Sequence, residues 1–385
     1  MDYATATRSE KQGLPMAGAF TVGIEEEYFL VDAATKLMPG DVPAAFFEAA
    51  RAATDGRAST EFLQPQIEVT SSPHEDMAAA RAELRELRRT VAAVAADHGL
   101  AILAAGTHPT AFWREAQQTA KERYDTVMQD LQMIGQRDLL CGLHVHVELP
   151  DPDGRVDVMY RMLPYLPLLL ALSTSSPFWQ ARRTGLKGYR LAAYDELPRT
   201  GVPELFRTRA EFDAYVAALT RAGVIENSSY IWWAIRPSLA NPTLELRAPD
   251  SCTLVDDAIA IAALYRTLAR HLYVDRRRNC DLDAVARAIV IENKWRAQRY
   301  GVHGTFVAGE GAVTVAEMLE RTIADTAADA AALGCTAEIN RCRAIVDAGT
   351  SADAQIAVFE AHRKSGSHAA ALRAVVEWIA LATLQ

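Results

Sequence analysis

Phe20-Thr-Val-Gly-Ile-Glu-Glu-Glu-Tyr-Phe-Leu-Val31 sets three consecutive glutamates inside an otherwise strand-like run. A strand alternates its side chains between two faces. Glu25 and Glu27 therefore share a face with Gly23, while Glu26 points the other way with Ile24 and Tyr28. Two carboxylates on adjacent same-face positions of an apolar strand repel each other and need a strong positive partner. A divalent cation meets that need with a single group. The bland alternative is a solvated edge strand, and the triplet alone leaves both readings open.

Working outward, the same feature recurs. In Gln66-Ile-Glu-Val-Thr70, Glu68 lies with Gln66 and Thr70, opposite Ile67 and Val69. In Gly142-Leu-His-Val-His-Val-Glu-Leu149, His144, His146 and Glu148 face away from Leu143, Val145 and Val147. In Thr243-Leu-Glu-Leu-Arg247, Glu245 and Arg247 oppose Leu244 and Leu246. The run Tyr230 to Arg236 puts Arg236 on the face of Trp232 and Ala234. A wet face of an antiparallel sheet is ordinary, but these positions are mostly Glu, His and Arg, with no Lys. Carboxylate with imidazole suits a hard or borderline divalent ion. Arginine beside them suits a phosphate or carboxylate, because its planar fork pairs with two oxygens. Taken singly, each has a bland reading: His-X-His is a weak signal, Glu245 with Arg247 could be a surface pair, and Glu61 alone reads as a loop residue. Their joint occurrence points to a phosphorylated anionic substrate held by metal ions on one sheet face.

The bulk properties are compatible with that. The chain has 385 residues, half of them hydrophobic and 23% charged, which describes a packed globular protein. Its net charge of −9 argues against nucleic acid as the partner. Five scattered cysteines with no CxxC spacing suit free thiols in a reducing compartment. Cys141 adjoins the His-X-His strand and reads as a small buried hydrophobe. The first residues carry no apolar run, and Met162–Leu172 is short and holds Pro164 and Pro167. The expectation is therefore a cytoplasmic protein with no signal peptide and no membrane partner.

Residues 1–18 read as a flexible N-terminal tail, and 19–385 as a single catalytic domain. Helices are expected over 41–53, 75–98, 117–134 and 156–173, and a buried strand over 100–105. Residues 175–200 lack periodicity and are expected to form a functional loop. Thr208-Arg-Ala-Glu211 and Thr314-Val-Ala-Glu317 are capping boxes that open helices. From Leu254 onward the chain reads as almost wholly helical, with 281–385 largely a structural helical layer.

Several stretches together carry a resemblance. They are Gly23-Ile-Glu-Glu-Glu-Tyr28, Gln66-Ile-Glu-Val-Thr70, Gly106-Thr-His-Pro109, Gly142-Leu-His-Val-His-Val147, Ser176-Pro-Phe-Trp-Gln180, Arg236-Pro-Ser238, Leu244-Glu-Leu-Arg-Ala-Pro-Asp250 and Asn293 to Gly301. The chain resembles the glutamate–cysteine ligase type 2 family of carboxylate–amine ligases, whose catalytic sheet is similar to that of glutamine synthetase. The resemblance implies an α+β fold: a curved, mostly antiparallel sheet with helices on its outer face and a helical C-terminal region. It implies Glu25, Glu27, Glu61, Glu68, His144 and Glu245 as metal ligands for two or three Mg²⁺ or Mn²⁺ ions. It implies Arg247 and Arg236 as catalytic arginines, and Arg247 with Arg190 as contacts to ATP; His146 is a weaker candidate. Two departures stand out. Ala181 occupies a position where the family often has glycine, and Arg299-Tyr-Gly-Val-His-Gly304 replaces the usual Arg-Tyr-Gly-Leu-Asp-Ala.

The activity implied is ATP-dependent amide formation through an acyl phosphate, from the γ-carboxylate of glutamate and an amino acid amine such as cysteine. Partners would be small-molecule carboxylate and amine substrates, with a possible homodimer. Two alternatives accompany it: a guanidino-kinase-like phosphotransferase on the same fold, and a non-catalytic metal- or nucleotide-binding paralogue.

Overall fold

The computed structural model describes residues 20–309 and 311–385. In chain order the first half comprises β1 (Val22–Asp32), α1 (Ala44–Ala53), β2 (Ala58–Thr60), β3 (Gln66–Thr70), α2 (Met77–Asp97), β4 (Leu100–Leu103), α3 (Glu122–Leu131), α4 (Met133–Gln136) and β5 (Leu143–Glu148). There follow α5 (Arg155–Met162), α6 (Leu166–Ser173), β6 (Phe178–Trp179), β7 (Arg182–Arg183), α7 (Tyr189–Tyr194), α8 (Arg209–Arg221), β8 (Ile235–Pro237) and β9 (Thr243–Leu246). The remainder is α9 (Val255–Val274), α10 (Ala284–Tyr300), the hairpin β10 (Thr305–Ala308) and β11 (Gly311–Thr314), then α11 (Val315–Asp325), α12 (Ala327–Ala332), α13 (Thr336–Ala348), α14 (Ser351–Arg363) and α15 (His368–Thr383).

The main sheet runs β2-β3-β1-β5-β9-β8 and is antiparallel throughout, with β4 pairing the C-terminal part of β1. Its back face is apolar except for Glu26. Ile24, Tyr28, Ile67, Val69, Val145, Val147, Leu244 and Leu246 are all buried there. Helix α2 turns Leu84, Leu87 and Val91 inward at helical spacing, starts where Asp76 accepts from the Ala78 N–H at 2.8 Å, and gives way at Gly99, whose φ is +71°. Helix α9 is buried over nearly its whole length and runs through the centre of the helical layer. The apolar Pro152–Ser173 stretch is long enough to cross a bilayer, yet 89% of its most apolar window is buried within the fold.

Some expectations need correction. Residues 230–234 form no strand. Trp232 and Ala234 donate to the carbonyls of Arg199 and Gly201 rather than to a ladder, so strand pairing starts only at Ile235. The expected 175–200 loop is ordered into the β6–β7 hairpin and α7. Helix α3 starts at Glu122, not 117, and breaks at Gln132, whose φ is +52°. The C-terminal third contains the β10–β11 hairpin, so it is not wholly helical. Both expected capping boxes are formed, and Thr350 with Asp353 makes a third. The expected tail, residues 1–18, lies outside the described residues.

Candidate active site

The ladder brings the polar positions into rows. Arg236 pairs with Glu245, Glu245 with His146, and His146 with Gly23. Glu25 sits between His144 and Thr70, and Glu27 opposite Glu68. Glu61 follows β2 and reaches the same cavity, which has a volume of about 380 Å³. Arg190 and Tyr194 enter it from α7, and Asp138 from the segment before β5. The six expected ligands, the two expected catalytic arginines, Arg190 and His146 all line this one cavity.

The contacts are close. His144 Nδ1 lies 3.3 Å from Glu25 and its Nε2 3.6 Å from Glu27. His146 Nε2 lies 3.2 Å from Glu25, while its Nδ1 is 2.8 Å from the Thr243 hydroxyl. The Gly142 N–H donates to Glu27 at 2.6 Å. A Cβ at Gly142 would collide with the Arg190 guanidinium, so only glycine lets that arginine lie across the strand. Arg190 Nη1 donates to the carbonyls of Arg247 and Pro249. Glu245 is held by both neighbours: Arg236 donates to its two oxygens at 2.8 and 3.1 Å, and Arg247 to one at 2.5 Å. Arg236 also donates to the Ser229 and Ile231 carbonyls, and Arg247 to the Tyr194 hydroxyl at 3.2 Å.

Protonation follows from this crowding. Burial and the charge of Glu27 push Glu61 up to about 8. Burial, then the charges of Glu61, Glu25 and Glu27, push Glu68 well above the usual carboxylate range. Burial also opposes ionisation of Glu25, but hydrogen bonds from His144 and His146 outweigh it and hold that carboxyl low. Glu245 is held low in the same way, burial being outweighed by Arg247 and Arg236. Burial and the charge of Arg247 lower His144, whereas contact with Glu25 overrides burial at His146 and raises it.

Three groups of donor atoms each lie within 4.8 Å of one another: Glu25, His146 and Glu245; Glu25, Glu68 and His144; Glu27, Glu61 and Glu68. Buried His144 Nε2 makes no hydrogen bond, and His146 Nε2 is turned to Glu25. Carboxylates that force one another to stay protonated, beside two imidazoles turned toward them, are a donor set that a hard or borderline divalent cation takes. The residues therefore fit Mg²⁺ or Mn²⁺.

The model of the glutamate–cysteine ligase family 2 matches residues 21–377. The chain belongs to that family. It is 58% identical over 365 residues to a protein of Bradyrhizobium sp. (strain ORS 278) named, provisionally, glutamate–cysteine ligase 2, covering 95% of this chain and 88% of the relative. A Rhodospirillum rubrum protein with the same provisional name is 46% identical over 373 residues, covering 95% of this chain and 96% of the relative. Among solved structures, glutamate–cysteine ligase from Francisella tularensis in complex with AMP superposes with a TM-score of 0.65 at 13% identity, over 95% of this chain and 89% of that one. A bifunctional glutathione synthetase from Pasteurella multocida gives a TM-score of 0.70 at 15% identity over 94% of this chain. The chain spans about half the length of that enzyme (52%). The structural likenesses establish the fold, and membership of the family makes the chain an ATP-dependent ligase of the carbon–nitrogen type.

Sequence reasoning left His146 a weak candidate and missed Asp138 and Tyr194. His146 carried a signal, since it alternates with His144. Asp138 lies in an irregular segment and Tyr194 on a six-residue helix, where no periodicity marks a cavity-facing side chain.

Proposed function

We propose that the chain joins the γ-carboxylate of glutamate to an amine, with cleavage of ATP to ADP and phosphate. A donor carboxylate oxygen bonds to the γ-phosphorus as the bridging P–O bond to ADP breaks. The amine nitrogen then bonds to the acyl carbon, the bond to phosphate breaks, and the nitrogen loses its proton. The observation that carries this reading is the row of three donor groups sharing Glu25 and Glu68, flanked at one end by Arg236 and Arg247.

Phosphoryl transfer needs positioning and charge neutralisation more than covalent help. Two or three Mg²⁺ or Mn²⁺ ions would be held by Glu25, Glu27, Glu61, Glu68, His144 and Glu245, with His146 added, and would supply positive charge to offset that of the phosphates. Arg247 has a buried Nε without a partner while its other nitrogens are anchored, so it offers a fixed positive group to the transferring phosphoryl. Arg236 is fully engaged by Glu245 and two carbonyls, and so contributes by fixing Glu245 and adding positive charge. Arg190 lines the same cavity and adds positive charge for an anionic substrate group.

The test is incubation with ATP, glutamate and a panel of amines, with and without Mn²⁺, following ADP and amide by mass spectrometry. Metal-dependent ADP release matched by amide supports the reading. Nucleotide turnover that yields a phosphorylated nitrogen instead, or none at all, overturns it.

A further inference from the structure

A surface helix ordinarily keeps its apolar residues on the side that meets the core. Helix α10 does not. Val290, Asn293, Lys294, Ala297 and Gln298 are buried, while Val285, Ala288, Glu292, Trp295 and Arg299 are exposed. The exposed set recurs at alternating steps of three and four residues, so it forms one stripe along the helix. Trp295 is 46% exposed, and its ring meets that of exposed Tyr300 edge-on at 6.0 Å. The Asn293 side chain exchanges hydrogen bonds with the Val307 backbone at 2.9 and 2.7 Å, which ties β10 to the same helix. Val285, Ile291, Trp295, Tyr300 and Val307 are five of the thirteen large hydrophobic side chains exposed among the described residues, and all five belong to this helix and its strand. Single exposed apolar residues are ordinary, but a group of them marks a contact surface. Trp, Tyr and Arg are the types that anchor such contacts.

The charges on the stripe say what fits it. Glu292 precedes Trp295 and Arg299 follows it, about 10 Å apart along the axis. Glu292 has a loose contact with Arg296, at 3.9 Å, and Arg296 is itself held by the Thr305 carbonyl and hydroxyl. Arg299 lies over the Tyr300 ring at 5.1 Å and forms no ion pair with any described residue. A uniformly acidic partner is repelled at Glu292, and a uniformly basic one at Arg299. The complementary surface carries the same charges in reverse order, and a second copy of the helix laid antiparallel presents that order. A two-fold axis passing between Trp295 and Arg296 sets each Glu292 against the partner's Arg299, with the tryptophans at the centre. In a two-fold contact one patch supplies both halves of the interface.

We propose that the chain forms a two-fold homodimer through α10, with the exposed stripe packed antiparallel on itself and Glu292 paired with the partner's Arg299. This inference stands apart from the ligase reading and needs no substrate for its test.

The test is sedimentation equilibrium of the full chain over a range of micromolar concentrations, where twice the chain mass is expected. Arg299→Glu sets like charges face to face in two places and should raise the dimer Kd by about a hundredfold or more, as should Glu292→Arg. Combining Glu292→Arg with Arg299→Glu restores both pairs in exchanged positions and should bring the Kd back to within about tenfold of the original. Trp295→Asp should raise it by about thirtyfold or more, the effect of losing a central anchor. These side chains are exposed, so circular dichroism of the variants should match the parent, and recovery in the double exchange separates a lost contact from a lost fold. A parent chain that stays monomeric throughout overturns the proposal. So does a dimer indifferent to the single exchanges, or a double exchange as weak as either single one.

Discussion

Glu26 and Glu27 are neighbours in sequence and opposites in role. Glu27 faces the cavity, takes the Gly142 N–H and belongs to a donor group with Glu61 and Glu68. Glu26 is wholly buried on the back face, where Arg88 donates to both its oxygens at 2.6 and 2.8 Å and Tyr28 donates at 2.5 Å. Glu27→Gln should weaken Mn²⁺ binding by about tenfold or more, since loss of even a group that only orients a ligand costs that much, as measured by calorimetry. Glu26→Gln should leave that affinity near its original value but lower unfolding stability in urea by about 3–5 kcal/mol, because it strands a buried guanidinium. Arg247→Ala removes a fixed charge aimed at the cavity and should slow turnover by about 10²–10³-fold. A variant with near-normal kcat would remove Arg247 from phosphoryl transfer. At this scale much was legible. Alternation alone divided the glutamate triplet correctly, because each face is set by the pleat. It said nothing of Arg88, which comes from a helix 62 residues away.

Among the elements, the short β6–β7 hairpin explains one departure from the family pattern. Its turn residues Gln180 and Ala181 both have positive φ, +48° and +58°. Two-residue hairpins favour such turns for their twist, and glycine fills them without steric cost. Ala181 therefore holds strain that the family's usual glycine would not. Ala181→Gly should stabilise the protein by about 1 kcal/mol in urea unfolding. No change, or a loss, would mean the turn relaxes another way. Elements with a clean period were legible: β1, β3, β5, α2 and the capped helices fall close to where the sequence indicates. Those missed were decided by distant partners. Residues 230–234 read as a strand by composition, yet their donors are taken by Arg199 and Gly201. The β10–β11 hairpin is too short and exposed to show an alternating core pattern.

For the whole molecule, the cavity's carboxylates are a store of repulsion that folding has to overcome. A cation that binds the native site and not the unfolded chain adds stability by mass action. Mn²⁺ at about a hundred times its Kd should therefore add about 2.7 kcal/mol per filled site to unfolding stability, reversed by chelator. Because Glu25 and Glu68 each belong to two groups, the total should fall short of the sum for independent sites. A melting profile indifferent to Mn²⁺ and chelator would count against metal at the site. The back face ties this region to the far end of the chain: besides Glu26, Arg88 donates to the carbonyls of Cys252, Thr253 and Thr383. The Thr383 hydroxyl in turn accepts from the Ala104 N–H. This arginine also gives the glutamate triplet a second meaning. If β1 slipped by one residue against its neighbours, every side chain would change sides. Glu26 would stand alone in the cavity, and Glu25 with Glu27 would be driven into the apolar layer toward one guanidinium. One of the two would be left buried without a partner, at a cost of several kcal/mol. Three like charges in a row, set against a single buried arginine, thus work as a key that turns in one position only.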